Sequence, residues 1–154
     1  MTRFIATFGY VGLIPVAPGT FGSLAVLPFW YLLESFGGWL LVFLMVLLVF
    51  AIGTWATSLE TAGSADHDPS VIVVDEVAGQ LLALLPVSFG LFAFSSLSPT
   101  FAVFIAFGLF RLFDILKPWP VSWADNMKTP LGVMLDDILA GFMAALVLTG
   151  LSFI

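Results

Sequence analysis

WLLVFLMVLLVFAIGTWATSL, residues 39–59, contains no charged side chain. An apolar run of about 18 or more residues is the usual length of a bilayer-spanning helix. Working outward, residues 35–59, 77–110 and 138–154 are all free of Asp, Glu, Lys and Arg. Only 9% of the 154 residues are charged and 61% are hydrophobic, where a water-soluble domain needs roughly a quarter charged. Mean hydropathy is +1.17. The expected fold is therefore an all-α polytopic membrane bundle, with residues 1–154 as a single membrane-embedded domain.

Prolines mark the helix starts. Asp68-Pro69, Ser98-Pro99 and Thr129-Pro130 each pair an N-capping side chain with Pro at the first helical position. Helices are predicted to begin near Pro69, Pro99 and Pro130, and the second to end near Lys117, because Pro118 disfavours helical geometry at its predecessor. Gly37-Gly38 reads as a turn before the span at 39–59. The shorter stretch 22–36, which contains Pro28, is either a tilted or kinked span or a re-entrant arm. Four to five transmembrane helices result, the first of them short. With five crossings Arg3, Arg111, Lys117 and Lys128 share one side, the cytoplasmic one by the positive-inside rule. The N-terminus is then inside and the C-terminus outside.

On that topology the acids form a layer. Asp75 and Glu76 are expected about two turns into the helix from Pro69, and Asp136 and Asp137 at nearly the same depth after Pro130. Asp114 and Arg111 lie near the Lys117 end of the helix between them. Counting Asp75, Glu76, Asp114, Asp125, Asp136 and Asp137 against Arg111, Lys117 and Lys128 leaves an excess of negative charge at membrane depth. Such charge is costly unless neutralised. Protonation is one solution, and a bound Mg²⁺ or Mn²⁺ the other; all-oxygen donors with no Cys and one His favour a hard cation. Gly79 and Gly141 stand four residues after Asp75 and Asp137, which lets a backbone or a ligand approach closely.

Arg111, Asp114 and Lys117 are spaced by three, either as a structural salt-bridge ladder or as anion-binding cations beside a metal ligand. GYVGLIPVAPGTFGSL, residues 9–24, ends in small hydroxyl residues; Thr20 and Ser23 at a helix start either bind a phosphate or belong to an ordinary turn. Asp66-His67-Asp68 contains a D-x-D, but Asp68 reads more simply as the cap for Pro69. His67 is either a proton carrier or an interfacial loop residue. Trp119, Trp123 and Tyr10 fit an aromatic belt. The absence of Cys excludes disulfides and thiolate catalysis. A net charge of −6 speaks against nucleic acid, and residues 1–10 lack the pattern of a cleaved signal peptide.

Four blocks carry a resemblance that spans most of the chain: IPVAPGTFGSL (14–24), HDPSVIVVDEVAGQ (67–80), FRLFDILKPWPVSWAD (110–125) and GVMLDDILAG (132–141). Together they resemble the phosphatidylglycerophosphatase A family. The resemblance implies a Mg²⁺-dependent lipid phosphatase that converts phosphatidylglycerophosphate to phosphatidylglycerol and phosphate at the cytoplasmic face of a bacterial inner membrane. Its partner would be phospholipid in the bilayer.

Asp75, Glu76, Asp136 and Asp137, with Asp114, are the expected metal ligands. Arg111 and Lys117, with Thr20 and Ser23, would hold the phosphate. Asp125 or His67 would protonate the leaving oxygen, which places them with Asp75, Glu76, Asp114 and Asp137 among the catalytic candidates. The rival readings are a cation or proton transporter using the intramembrane carboxylates, a phosphatase of another lipid phosphate, and an assembly subunit.

Overall fold

The computed structural model describes residues 1–64 and 66–153. The described residues form helices and turns without strands: α1 (Thr2–Ala6), a short 3₁₀ turn, α2 (Pro18–Glu60), α3 (Val74–Ala83), α4 (Leu85–Ser88), α5 (Pro99–Leu116), α6 (Val121–Asp125) and α7 (Pro130–Leu151). Among them α2, α5 and α7 are long and apolar enough to cross a membrane. Their outer surfaces carry Phe, Leu and Trp side chains, as a helix facing lipid requires.

Two of the three Pro-marked starts form as expected. Ser98 Oγ accepts from Phe101 N at 3.2 Å and Thr129 Oγ1 from Gly132 N at 3.1 Å, each with Pro at the next position. These hydroxyls satisfy amides that the first turn leaves without a helical partner. α5 ends at Leu116, one residue before the predicted boundary, and Lys117 closes it in left-handed geometry (φ 44°, ψ 52°).

The third start is a correction. No helix begins at Pro69; α3 begins at Val74, so Asp75 and Glu76 occupy its first turn and do not lie two turns in. The intervening Val71, Ile72 and Val73 are β-branched and poor helix starters. They are also held from outside: Val73 N donates to Ala6 O at 2.9 Å, and Gly12 packs so closely on the Val71 carbonyl that a Cβ there would lie 2.1 Å from its oxygen. Residues 74–88 then rise only about 21 Å at 1.5 Å per residue, against a hydrocarbon core of about 30 Å. The first turn of α3 is thereby sunk into the bundle.

α2 is a hairpin. Gly38 leaves helical geometry (φ 60°, ψ −159°), a conformation open to a residue without Cβ, and the chain reverses there. Gly22 in the first arm packs on Val73, and Gly53 in the second packs on Val74 and Met134, so both arms return to the same level of α3. At the bend end Trp39 and Phe89 rings lie 5.3 Å apart, and Trp30 Nε1 donates to Ser88 Oγ at 2.8 Å. The stretch 22–36 is therefore part of a continuous helical arm, through which Pro28 passes without a break in helical geometry.

α3 sits at the centre, covered by α2 on one side and α7 on the other, while α5 leans mainly on α7. Gly79 and Gly141 face each other where α3 crosses α7: a Cβ on Gly141 would lie 2.2 Å from Gly79 O, and one on Gly79 would lie 2.5 Å from Asp137 O. Small residues at such crossings let helix backbones touch in lipid. The close approach expected of these glycines is backbone against backbone. The start of α2, the start of α3, the end of α5 and the start of α7 all meet at the end of the bundle opposite Gly38.

Candidate active site

At that shared end a cavity of about 420 Å³ opens between the first arm of α2, α3, α5 and α7. Six carboxylates line it (Asp68, Asp75, Glu76, Asp114, Asp136 and Asp137) against two cations, Arg111 and Lys117. Asp75, Asp136 and Asp137 are at most 6% exposed. Each acid pair is held the same way: Asp75 Oδ1 accepts from Glu76 N and Asp136 Oδ1 from Asp137 N, both at 3.0 Å. The first-turn placement of Asp75 and Glu76 puts them at the positive end of α3, which favours anions there.

The two cations have different duties. Arg111 Nη1 contacts Asp114 Oδ2 at 2.5 Å and lies 3.9 Å from Glu76 Oε1, and its Nε has no acceptor among the described residues. Lys117, swung past the helix end, bonds Asp125 and, at 2.8 Å, Asp136. The i, i+3 stripe is thus divided between two carboxylate clusters and is not a single ladder. Partial burial opposes the Lys117 charge, but the bonds to Asp125 and Asp136 outweigh it and raise its pKa above the ordinary lysine value, so it stays an ammonium.

Removing that ammonium leaves Asp136 buried and unpaired. Lys117→Met is expected to cost about 3 kcal/mol of stability, the scale of breaking a buried pair from one side. The double variant Lys117→Met/Asp136→Asn should recover most of it. Thermal unfolding of the detergent-purified proteins reads both.

A divalent cation fits the remaining acids. Asp75, Glu76 and Asp137 each present a carboxylate oxygen within 4.8 Å of the others. Glu76 Oε2 is buried without a hydrogen-bond donor among the described residues, an oxygen placed to take a positive ligand. The donors are all oxygen, the set preferred by Mg²⁺ and Mn²⁺. Asp114 and Asp136 adjoin this trio, each already engaged with a cation.

Of the other expected site residues, Thr20 lines the cavity beside Gly19 at the start of α2. Ser23 does not; it is fully buried and its hydroxyl donates to Gly19 O at 2.9 Å. Asp125 stands behind Lys117, and His67 lies in the loop without lining the cavity, whereas its neighbour Asp68 does line it.

Gly19 is a site residue that sequence reasoning missed, although the APGT run gave a signal. A Cβ there would lie 2.1 Å from Glu76 Oε1 and 3.3 Å from Arg111 Nη1. The colliding atom is the tip of a side chain, so Gly19→Ala is expected to fold while displacing the Glu76 carboxylate. Turnover should fall about 10- to 100-fold, the cost of misplacing a group by about 1 Å. Unchanged unfolding temperature with that loss is the expected pair of measurements.

The profile of phosphatidylglycerophosphatase A matches residues 4–152. The chain is 38% identical over 135 residues to phosphatidylglycerophosphatase A of Escherichia coli, covering 87% of this chain and 73% of the relative. It is 36% identical over 143 residues to the protein of the same name in Haemophilus influenzae, covering 92% and 83%. It is 41% identical over 136 residues to a Bacteroides thetaiotaomicron protein named "Putative phosphatidylinositol-3-phosphatase", covering 84% and 80%. No solved structure matches. With a profile match along nearly its whole length, and with its acid pairs, Arg111 and Lys117 gathered at one end of a membrane bundle, the chain belongs to the phosphatidylglycerophosphatase A family.

Proposed function

We propose that this lipid phosphatase hydrolyses the terminal phosphomonoester of phosphatidylglycerophosphate, giving phosphatidylglycerol and phosphate, with Mg²⁺ as cofactor and at the cytoplasmic face of a bacterial inner membrane. The observation that carries the reading is the Asp75, Glu76 and Asp137 trio beside the Arg111 guanidinium in one cavity. Carboxylates that can gather a divalent cation, next to a cation for phosphate oxygens, are what phosphoryl transfer needs. The names of two relatives supply the substrate. The orientation rests on Arg3, Arg111, Lys117 and Lys128, which belong to α1, the end of α5 and the loop before α7, all at the cavity end. We read five crossings, counting the two arms of α2 separately and the short α3 and α4 together with the turn after them as one.

Asp75, Glu76 and Asp137 hold the cation, with Asp114 and Asp136 beside them. When bound, it neutralises charge on the phosphoryl group and makes a water more acidic. Arg111 and Lys117 bind phosphate oxygens, helped by Thr20 and the free amides at the start of α2. Asp114 fixes the Arg111 guanidinium, and Asp125 fixes the Lys117 ammonium. Water attacks phosphorus in line and loses a proton to a carboxylate of the cavity wall, the phosphorus–oxygen bond to glycerol breaks, and the leaving oxygen takes a proton from the loop over the cavity, where Asp68 lines the wall and His67 adjoins it. The transport alternative gains no support from the packing, because the bundle beyond this end is dominated by apolar side chains such as Val26, Leu81, Leu84 and Phe92.

The test is phosphate release by detergent-purified protein from phosphatidylglycerophosphate, phosphatidylinositol 3-phosphate and phosphatidate, each with Mg²⁺ and with chelator. Mg²⁺-dependent release from the first in clear preference is the expected result. Preference for the second would move the substrate to that of the Bacteroides relative. Release from none by folded protein would overturn the phosphatase reading.

A further inference from the structure

The carboxylate cavity has an apolar counterpart on the same pair of helices. A second cavity of about 410 Å³ lies between the first arm of α2, through Leu27, Trp30 and Tyr31, and α5, through Pro99, Val103 and Phe104. The carboxylate cavity uses the same arm through Gly19 and Thr20, and the same helix through Arg111 and Ile115. On the arm, Thr20, Leu27 and Tyr31 are spaced by seven and four; on α5, Arg111, Phe107 and Val103 are spaced by four. Each set falls along one helix face. The two cavities thus mark two levels, one polar and one apolar, of a single seam between these helices, with Phe107 and the buried Ser23 at the levels between them. The seam persists because α5 leans on α7 and the arm leans on α3, leaving these two helices less engaged with each other.

We propose that this seam is an acyl-chain site: one chain of the lipid phosphate substrate lies along it, its terminal methylenes in the cavity walled by Leu27, Tyr31, Val103 and Phe104. The proposal rests on the phosphatase reading above. Depth selects the occupant. From Thr20, Leu27 is about 10 Å and Tyr31 about 16 Å along the helix at 1.5 Å per residue. Half of a hydrocarbon core of about 30 Å is about 15 Å, the depth at which the chains of one leaflet end. With the carboxylate end at the edge of the hydrocarbon, this cavity lies at the depth where the acyl chains of that leaflet end.

Another apolar cavity, of about 350 Å³, does not compete. It is lined by α1, the second arm of α2 and α3, and it meets α3 at Val74 and Val77, not at Asp75 and Glu76.

Bulk placed in the seam tests this. Val103→Trp should lower kcat/KM for a dipalmitoyl substrate relative to its dihexanoyl analogue about tenfold, the scale of losing one or two methylenes from an apolar pocket. Ile52→Trp, equal bulk in the other cavity, should leave that ratio as in the unsubstituted protein. An unchanged ratio in Val103→Trp, or an equal fall in both variants, overturns the proposal.

The unsubstituted protein gives a second reading that needs no variant to fold. A phosphatidylglycerophosphate carrying a photoreactive group at the end of one chain should label residues 27–31 and 99–104 several-fold more than a phosphatidylcholine with the same chain. Equal labelling by the two lipids identifies bulk bilayer lipid as the occupant and also overturns it. Failure of the phosphatase reading looks different, as no phosphate release from either chain length by the unsubstituted protein, and the labelling comparison still decides the seam.

Discussion

Asp137→Asn is expected to lower phosphate release by about three orders of magnitude without lowering the unfolding temperature of the metal-free protein. Asp137 is 3% exposed and shares its carboxylate oxygens with Asp75 and Glu76 within 4.8 Å. Neutralising it removes one of three charges that gather the cation, and Lewis-acid stabilisation of a phosphoryl transition state is worth several kcal/mol. About 4 kcal/mol is about a thousandfold in rate. Stability moves the other way, because six carboxylates face two cations in this cavity and each neutralisation relieves repulsion among buried like charges.

The two readouts together separate chemistry from folding. Binding of Mn²⁺, followed by electron paramagnetic resonance, should weaken in parallel with activity. Asp125→Asn offers the contrast: Asp125 is 40% exposed in its side chain and touches Lys117, so its loss is expected to stay within about tenfold. Retention of more than a tenth of the activity by Asp137→Asn would remove it from the cation site.

How much of this was legible in the sequence depended on whether the cause was local. Ser98 and Thr129 cap their helices with their own hydroxyls three residues from the amides they serve, and both starts could be read without the fold. Gly38 breaks α2 because its own backbone conformation demands it. The start of α3 was misread because its cause is distant in sequence. Asp68-Pro69 carries a start signal as good as the other two, yet the 71–73 strip is pinned by Ala6 and Gly12 from the other end of the chain.

The acid layer was legible from cost alone, since charges at membrane depth need a reason. Its division of labour was not. Lys117 leaves the helix stripe through a left-handed turn, and Ser23, one turn past Gly19, spends its hydroxyl on the helix's own carbonyl. Neither event follows from spacing. Gly19 escaped notice for a related reason: its value lies in the room it leaves for Glu76, a residue far along the chain.

Gly141→Ala is expected to be strongly destabilising for a single added methyl group, because the atom it meets is backbone. Its Cβ would lie 2.2 Å from the Gly79 carbonyl oxygen, and neither atom can rotate away. α3 and α7 must separate instead, and that separation opens the Gly79–Asp137 contact as well, where the reciprocal Cβ distance is 2.5 Å. Overpacking of this kind costs about 3 kcal/mol or more. In lipid there is little compensating hydrophobic gain, since close backbone packing is itself what holds such a crossing together.

The site suffers with the fold: Asp75 and Glu76 ride on α3 and Asp137 on α7, so the crossing sets the distance across which they converge. The expected signature is therefore a joint loss of thermal stability, folded yield and Mn²⁺ binding, unlike Asp137→Asn, which loses binding alone. Gly150→Ala in α7 and Gly108→Ala in α5 serve as comparisons, since none of the described residues comes within 4 Å of a Cβ at either. Both should stay within about 1 kcal/mol of the unsubstituted protein. If Gly141→Ala unfolds at the same temperature as Gly150→Ala, the glycine crossing is not what brings the two acid pairs together.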